Sequence, residues 1–419
     1  MPVEFFRQRG IYYGWVTLTV TFITVFVVIG FRYAFGVLYV AILEDTGWLR
    51  AETAGIFSTA MITYMFTAIL SGALIDRLGP RILFPIGCVV MSAGLALCAT
   101  ISSIWEFYLY YGVLVGLGYV FLGFIPHISM LPRWFVRRRG FASAVLIAGV
   151  GMGSLVVSVA CDWMLGMMGW RAVFLVFSVI VLLVLLPLTL YFHRDSPAAI
   201  GLHPDNAPSD PAVAQTAAAP EGRLLDALGT PTFWLLALAV ATIGVGQQTI
   251  AVHQTRLLVD MGYGLSLAAG LFGITGLFRS IGGFIWGPLS DRFGTRRIIM
   301  IAAATGFAGI VVLLLARYQP NLVYLLAFIV LFAVGFGGIT PVYASTVAEL
   351  YPGRHLGKMF GLLDIGYGAG SALGPYAAGW IFDHYGSYER ALWMLLGLTV
   401  LLGLALYGAL TIRPRRQAA

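Results

Sequence analysis

The chain has 419 residues, of which 60% are hydrophobic and only 10% charged, with a mean hydropathy of +0.90. A water-soluble domain is roughly a quarter charged because its surface must be hydrated, so this composition excludes an ordinary soluble fold and calls for a lipid-facing surface. Twenty-five basic against eighteen acidic residues leave a net +7. In a soluble chain that excess would point to nucleic acid; in a membrane chain the placement of the basic residues matters more than their sum.

The N-terminal MPVEFFRQRGIYYGW runs into an apolar stretch too long for a leader core and without a small-residue cleavage site, so it reads as a retained first helix. A spanning helix needs about 20 apolar residues. Segments of that kind fall at 12–40, 52–75, 81–101, 104–131, 139–164 and 170–192, then at 231–258, 265–289, 297–316, 320–348, 357–382 and 390–411. The expected fold is therefore an all-α membrane protein with twelve transmembrane helices in two six-helix bundles, 1–192 and 231–419. Between them, residues 193–230 form a cytoplasmic linker whose Pro-, Ala- and Asp-rich stretch 193–223 has no apolar period and reads as mostly flexible. Cys88, Cys98 and Cys161 lie in or beside apolar runs without metal-ligand spacing, as small buried hydrophobes.

Lys and Arg set the orientation. With both termini inside, 18 of the 25 face the cytoplasm, five face out (Arg50, Arg171, Arg256, Arg317 and Arg390), and Arg32 and Arg279 remain within spans. This predicts a multi-pass protein of the cell (inner) membrane with cytoplasmic termini.

The halves repeat one another. GALIDRLGPR at 72–81 answers GPLSDRFGTR at 287–296 at an offset of 215, and GVGMGS at 149–154 answers GYGAGS at 366–371 at an offset of 217. Duplicated halves of this kind carry the substrate near the bilayer midplane and rock about it. The block at 72–81 and 287–296 resembles the loop signature of the major facilitator superfamily. That resemblance implies a gating latch on Asp76, Arg77 and Arg81 and on Asp291, Arg292 and Arg296; Pro80 and Thr295 depart from the usual Arg. The alternative is a solvated turn whose arginines only set topology.

Gly14-Trp15, GFRYAFGV at 30–37 and RWFVRRRGFASAVLIAGVGMGS at 133–154 resemble the monocarboxylate transporter family, whose bacterial relatives include lactate carriers and oxalate–formate exchangers. Independently, Arg279 lies about 14 residues from either polar edge of its span, roughly 21 Å deep at 1.5 Å per residue. A mid-membrane arginine costs about 2.5–3.5 kcal/mol on insertion scales and cannot escape by deprotonating. Its planar fork suits a carboxylate, although a buried Arg–Asp pair would also explain it. The family's helix 8 arginine binds substrate, and Arg279 matches its position. Animal members carry an Asp one turn earlier and a Lys in helix 1; here those positions are Thr275 and Val37.

Tyr119 and Phe336 are further substrate-binding candidates, with ordinary packing as the alternative for each. Asp364 and His253 are candidates for proton coupling, against an interhelical hydrogen bond and a mouth or interface role. Arg32, placed near the outer end of helix 1, can snorkel and reads as a mouth or structural residue. The glycine blocks lie inside apolar helices with no preceding strand, so they favour close helix contact over nucleotide binding; so do the small-residue stripes Gly140, Ala144, Ala148, Gly151 and Gly276, Ser280, Gly283, Gly287. The expected activity is secondary transport of a small monocarboxylate, lactate- or pyruvate-like, coupled to protons. The chain is expected to be a monomer without cofactor, metal, enzymatic function or nucleic-acid partner. The rivals are oxalate–formate-type exchange and a membrane receptor for an organic anion.

Overall fold

The computed structural model describes residues 2–206, 228–337, 339, 343, 346, 347 and 356–412; the side chains of 2, 68–73, 76, 139, 287, 291 and 356–358 also lie outside the described set. Every expected span contains helix. In chain order these are α1 (Tyr13–Thr46), α2 (Arg50–Leu78), α3 (Pro80–Cys98), α4 (Ile104–Trp134), α5 (139–168) and α6 (170–192). The second set is α7 (Pro231–Asp260), α8 (Leu265–Phe293), α9 (Thr295–Tyr318), α10 (Leu322–Gly337), α11 (Leu356–Tyr385) and α12 (Glu389–Thr411). Among the described residues, eight helical runs are long and apolar enough by themselves to cross a membrane. Gly169, at φ +69°, separates α5 from α6. Two stretches of π-helix, Tyr108–Val115 in α4 and Ile329–Ala333 in α10, occupy matching places in the two halves.

Contacts divide the chain into two compact units. One comprises residues 1–48 and 55–211, the other 49–54 and 212–419. Each has a buried apolar core; in the second it includes Leu236, Phe328, Phe332, Phe336, Leu363 and Leu406.

The internal repeat has a physical counterpart. In the first unit a Cβ at Gly153 would lie 2.3 Å from the Phe26 carbonyl, and one at Gly149 would crowd Phe22. In the second unit a Cβ at Gly370 would lie 1.9 Å from the Ala241 carbonyl, and one at Gly366 2.9 Å from that of Ala237. Phe22 and Phe26 map onto Ala237 and Ala241 at the offset of 215, and Gly149 and Gly153 onto Gly366 and Gly370 at 217. The twin glycine motifs thus bring α5 onto α1 and α11 onto α7, which is what small residues accomplish in lipid, where helix contact depends on packing. Likewise Gly79 and Gly294, both in the signature loops, take φ of +73° and +88°, a region that favours glycine.

Residues 193–206 differ from the expected flexible segment. They are folded against the first unit, with 3₁₀ turns at Ala198–Ile200 and Pro204–Asn206. The Asp205 carboxylate accepts from the Val136 and Arg137 amides at 2.7 and 2.5 Å, and Asp195 accepts from the Arg81 amide at 3.4 Å. Local polar side chains supply the anchors that a lack of apolar periodicity had concealed.

Candidate functional site

Arg279 is the central residue of the 29-residue α8 and is half-buried. Its backbone is fixed against α10: a Cβ at Gly337 would lie 2.0 Å from the Arg279 carbonyl, and one at Gly282 2.5 Å from the Val334 carbonyl. Trp286 adds an indole hydrogen bond to the same Val334 carbonyl at 2.9 Å. Glycine on both helices lets α8 and α10 meet backbone to backbone, so the guanidinium projects from a rigid base. One turn earlier, Thr275 accepts a 2.9 Å hydrogen bond from Gln254 of α7 and donates to the Leu271 carbonyl.

A band of neutral polar side chains runs along α7. Gln248 donates to the Tyr367 hydroxyl of α11 at 2.9 Å, and that hydroxyl donates to Gln247 at 3.2 Å. All three glutamines, Gln247, Gln248 and Gln254, are buried. Sequence reasoning passed over this band, although three amides in an apolar run are themselves a signal, since buried polar groups must be satisfied.

His253 is 3% exposed, with Nε2 at 2.8 Å from the Pro375 carbonyl and Nδ1 at 2.9 Å from the Tyr388 hydroxyl. A carbonyl can only accept, so Nε2 donates to Pro375, and in the neutral ring Nδ1 is left to accept from the Tyr388 hydroxyl. The imidazole thereby ties α7 to α11 and to the residue that precedes α12. Asp364 is half-buried on α11. Phe336 is 1% exposed, wedged against Phe332 and the small faces at Gly246 and Gly306.

In the first unit Tyr119 is 1% exposed, and its hydroxyl lies 2.9 Å from that of Tyr111. Arg32 departs from the expected mouth position. Helix α1 continues to Thr46, so Arg32 lies well inside it and is 8% exposed. Its Nη2 lies 2.9 Å from the Met61 sulfur, and its guanidinium carbon 5.5 Å from the Tyr64 ring centroid. The six residues of α1 beyond position 40 place Arg32 further from the helix end than the sequence suggested. The three cysteines are free and buried, as their setting implied.

The family profile described as Major Facilitator Superfamily matches residues 21–285 and 271–419, nearly the whole chain and both halves of it. The chain belongs to the major facilitator superfamily. Among relatives of this superfamily member, rat monocarboxylate transporter 13 is 26% identical over 90% of this chain and 85% of its own length. Human monocarboxylate transporter 11 is 27% identical over 94% and 82%. An uncharacterised MFS-type transporter of Bacillus subtilis (strain 168), YcxA, is 24% identical over 88% of each. A solved structure of the nucleoside transporter NupG superposes with a TM-score of 0.73 at 13% identity, covering 95% of this chain and 99% of that one. A bacterial homologue of the lysosomal transporter Spinster, in an inward-facing and unoccupied conformation, gives 0.72 at 18%, covering 96% and 99%. At those identities the structures establish the fold alone. The chain is thus a multi-pass membrane transporter similar to the monocarboxylate transporters.

In this transporter the signature-loop arginines Arg77, Arg81, Arg292 and Arg296 are exposed, while the side chains of Asp76 and Asp291 lie outside the described residues. Arg296 stacks over Tyr407 at 4.3 Å and Arg292 over Phe293 at 5.3 Å.

Proposed function

We propose that the protein is a secondary transporter of small monocarboxylates, lactate- or pyruvate-like, coupled to protons and working by alternating access in the cell (inner) membrane with both termini in the cytoplasm. The observation that carries this reading is Arg279: a permanently charged fork at the midpoint of a membrane helix, half-buried, on a backbone locked by glycine contacts. A guanidinium at that depth is costly unless it meets water or an anion. A carboxylate would engage both of its ends, and neutralising the charge would lower the cost of moving the occluded site.

Alternating access requires the substrate to stabilise one state over the other, not merely to bind. In this scheme Arg279 recruits the anion, Asp364 carries the accompanying proton so that the cycle is electroneutral, and the signature loops with Asp76, Arg77, Arg81, Asp291, Arg292 and Arg296 act as gates. Tyr119 and Phe336 are the further substrate-binding candidates, each buried within its own unit. The test is uptake of labelled short-chain monocarboxylates into liposomes under an imposed pH gradient. Accumulation that follows the gradient supports the proposal; binding without flux would favour a receptor instead.

The rival reading is organic-anion exchange of the oxalate–formate type, which preferential counterflow of a dicarboxylate would select.

A further inference from the structure

Ahead of α1 the chain forms a short helix, Pro2–Gln8, and turns at Gly10, whose φ is +68°. The turn brings Phe6 edge-on against Tyr13 and Phe192, with ring centroids 6.1 and 6.5 Å away. The folded segment 193–206 belongs to the same unit. Between its residues 201–203, the N-terminal segment and the start of α1 lies a cavity of about 340 Å³. That volume falls among small-molecule sites, which run from about 300 to 1,000 Å³.

The walls are fixed by their own hydrogen bonds. The Gly10 and Ile11 amides donate to the Arg7 and Phe6 carbonyls at 3.0 Å each, and the Gly201 and Leu202 amides to those of Ala198 and Pro197 at 3.1 and 3.0 Å. The Tyr12 and Tyr13 hydroxyls donate to the Trp134 and Phe192 carbonyls at 2.7 and 2.9 Å. With these donors spent, the side-chain donors left in the lining are those of Arg7 and His203. Among the described residues neither makes a side-chain hydrogen bond or ion pair, and none of the lining residues is acidic. Two basic side chains without a carboxylate favour an anion, and a guanidinium suits phosphate oxygens in particular. Val3, Ile11 and Leu202 supply apolar wall beside them, which suits an anion that carries an apolar part.

The location fits such an amphiphile. Tyr13 opens α1 and Phe192 closes α6, so the cavity sits at a membrane boundary of the first unit. Beside it Phe5 and Ile11 are 47% and 42% exposed. Apolar and aromatic side chains of a juxtamembrane segment lie at the level of headgroups and upper acyl chains. Arg9 lies over the Phe5 ring at 4.0 Å, its stem along an apolar face and its head free for water.

We propose that this cavity binds the phosphate of an anionic phospholipid, with Arg7 and His203 on the phosphate oxygens and Val3, Ile11 and Leu202 along the glycerol and first acyl carbons. Because one wall is the N-terminal segment and the other is residues 201–203, the bound lipid joins the two and stabilises the first unit. The site is independent of the transported substrate, and Arg279 belongs to the other unit.

The test is the melting temperature of the purified full chain in detergent micelles doped with phosphatidylglycerol, with phosphatidylcholine, or with neither but with inorganic phosphate in the buffer. A ligand of the folded state raises its stability by mass action. Phosphatidylglycerol should raise the melting temperature, while phosphatidylcholine and inorganic phosphate should leave it near the lipid-free value. Arg7→Gln and His203→Gln, both at exposed positions, should melt as the unmodified protein does without lipid and should each at least halve the phosphatidylglycerol increment. Arg9→Gln, which removes an equal charge outside the lining, should keep the increment. An increment that survives in both Arg7→Gln and His203→Gln, or that Arg9→Gln reduces as much, overturns the site. Equal increments from the two lipids, or a full increment from inorganic phosphate, overturn its assignment to an anionic phospholipid.

Discussion

The side-chain amide of Gln254 donates to the hydroxyl of Thr275 at 2.9 Å, one turn ahead of Arg279 on the same helix. The animal monocarboxylate carriers that the sequence resembles have an acid at position 275, and here the place is filled by a neutral pair. Thr275 thus places a hydrogen-bonded hydroxyl, and no titratable group, at that position. Thr275→Val should destabilise the protein by about 1–3 kcal/mol, the range for a buried polar group left unpaired. Thr275→Val with Gln254→Leu should recover most of the loss, because both partners are then apolar. Thermal unfolding of the two singles and the double closes the cycle; additive losses would show that the pair is not coupled.

Proton traffic should instead depend on Asp364. Asp364→Asn should abolish the response of uptake to a pH gradient while leaving substrate counterflow intact. His253→Gln should lower thermal stability through loss of the ties to Pro375 and Tyr388, yet keep the gradient response. If the two variants exchanged phenotypes in the same liposome assay, the assignments would be reversed.

His193 links pH to the folded state of the linker strap. Burial holds its imidazole well below the ordinary range, with His127 and Arg194 adding to the effect. The unfolded chain binds a proton below about pH 6.5 that the folded chain refuses. Stability from this site is therefore full above that pH and falls as the pH drops below it. Melting temperatures recorded from about pH 8 to about pH 5 should decline less steeply in His193→Gln than in the unmodified protein.

The twin glycine motifs predict a graded series. Gly370→Ala and Gly153→Ala force a methyl into the Ala241 and Phe26 carbonyls and should each cost about 1–3 kcal/mol, as overpacked sites do. Gly140→Ala, with nothing within 4 Å of the added carbon, should be neutral. Folded yield and melting temperature in detergent report all three.

Much of this architecture was legible from residues. Hydropathy located the helices because lipid demands about 20 apolar residues whatever else they do. The repeat emerged from two short motifs whose glycines prove to have matching backbone contacts. The site was less legible. Arg279 stood out because a charged residue in the middle of an apolar run is conspicuous, but the Gln247, Gln248 and Gln254 band did not, since neutral amides barely disturb hydropathy. Arg32 was misplaced because helix length within an apolar run has no sharp edge in composition. The strap at 193–206 was missed because its order comes from Asp195 and Asp205 meeting backbone amides far away in sequence, which no local pattern encodes.

The carboxylate role of Arg279 is tested most directly by thermal stabilisation of the purified protein with short-chain monocarboxylates, since a ligand that binds the folded state raises its stability by mass action. The unmodified protein should be stabilised selectively, and Arg279→Lys, which keeps the charge but loses the planar fork, should lose that response while remaining folded. An undiminished response in Arg279→Lys would contradict the bidentate site.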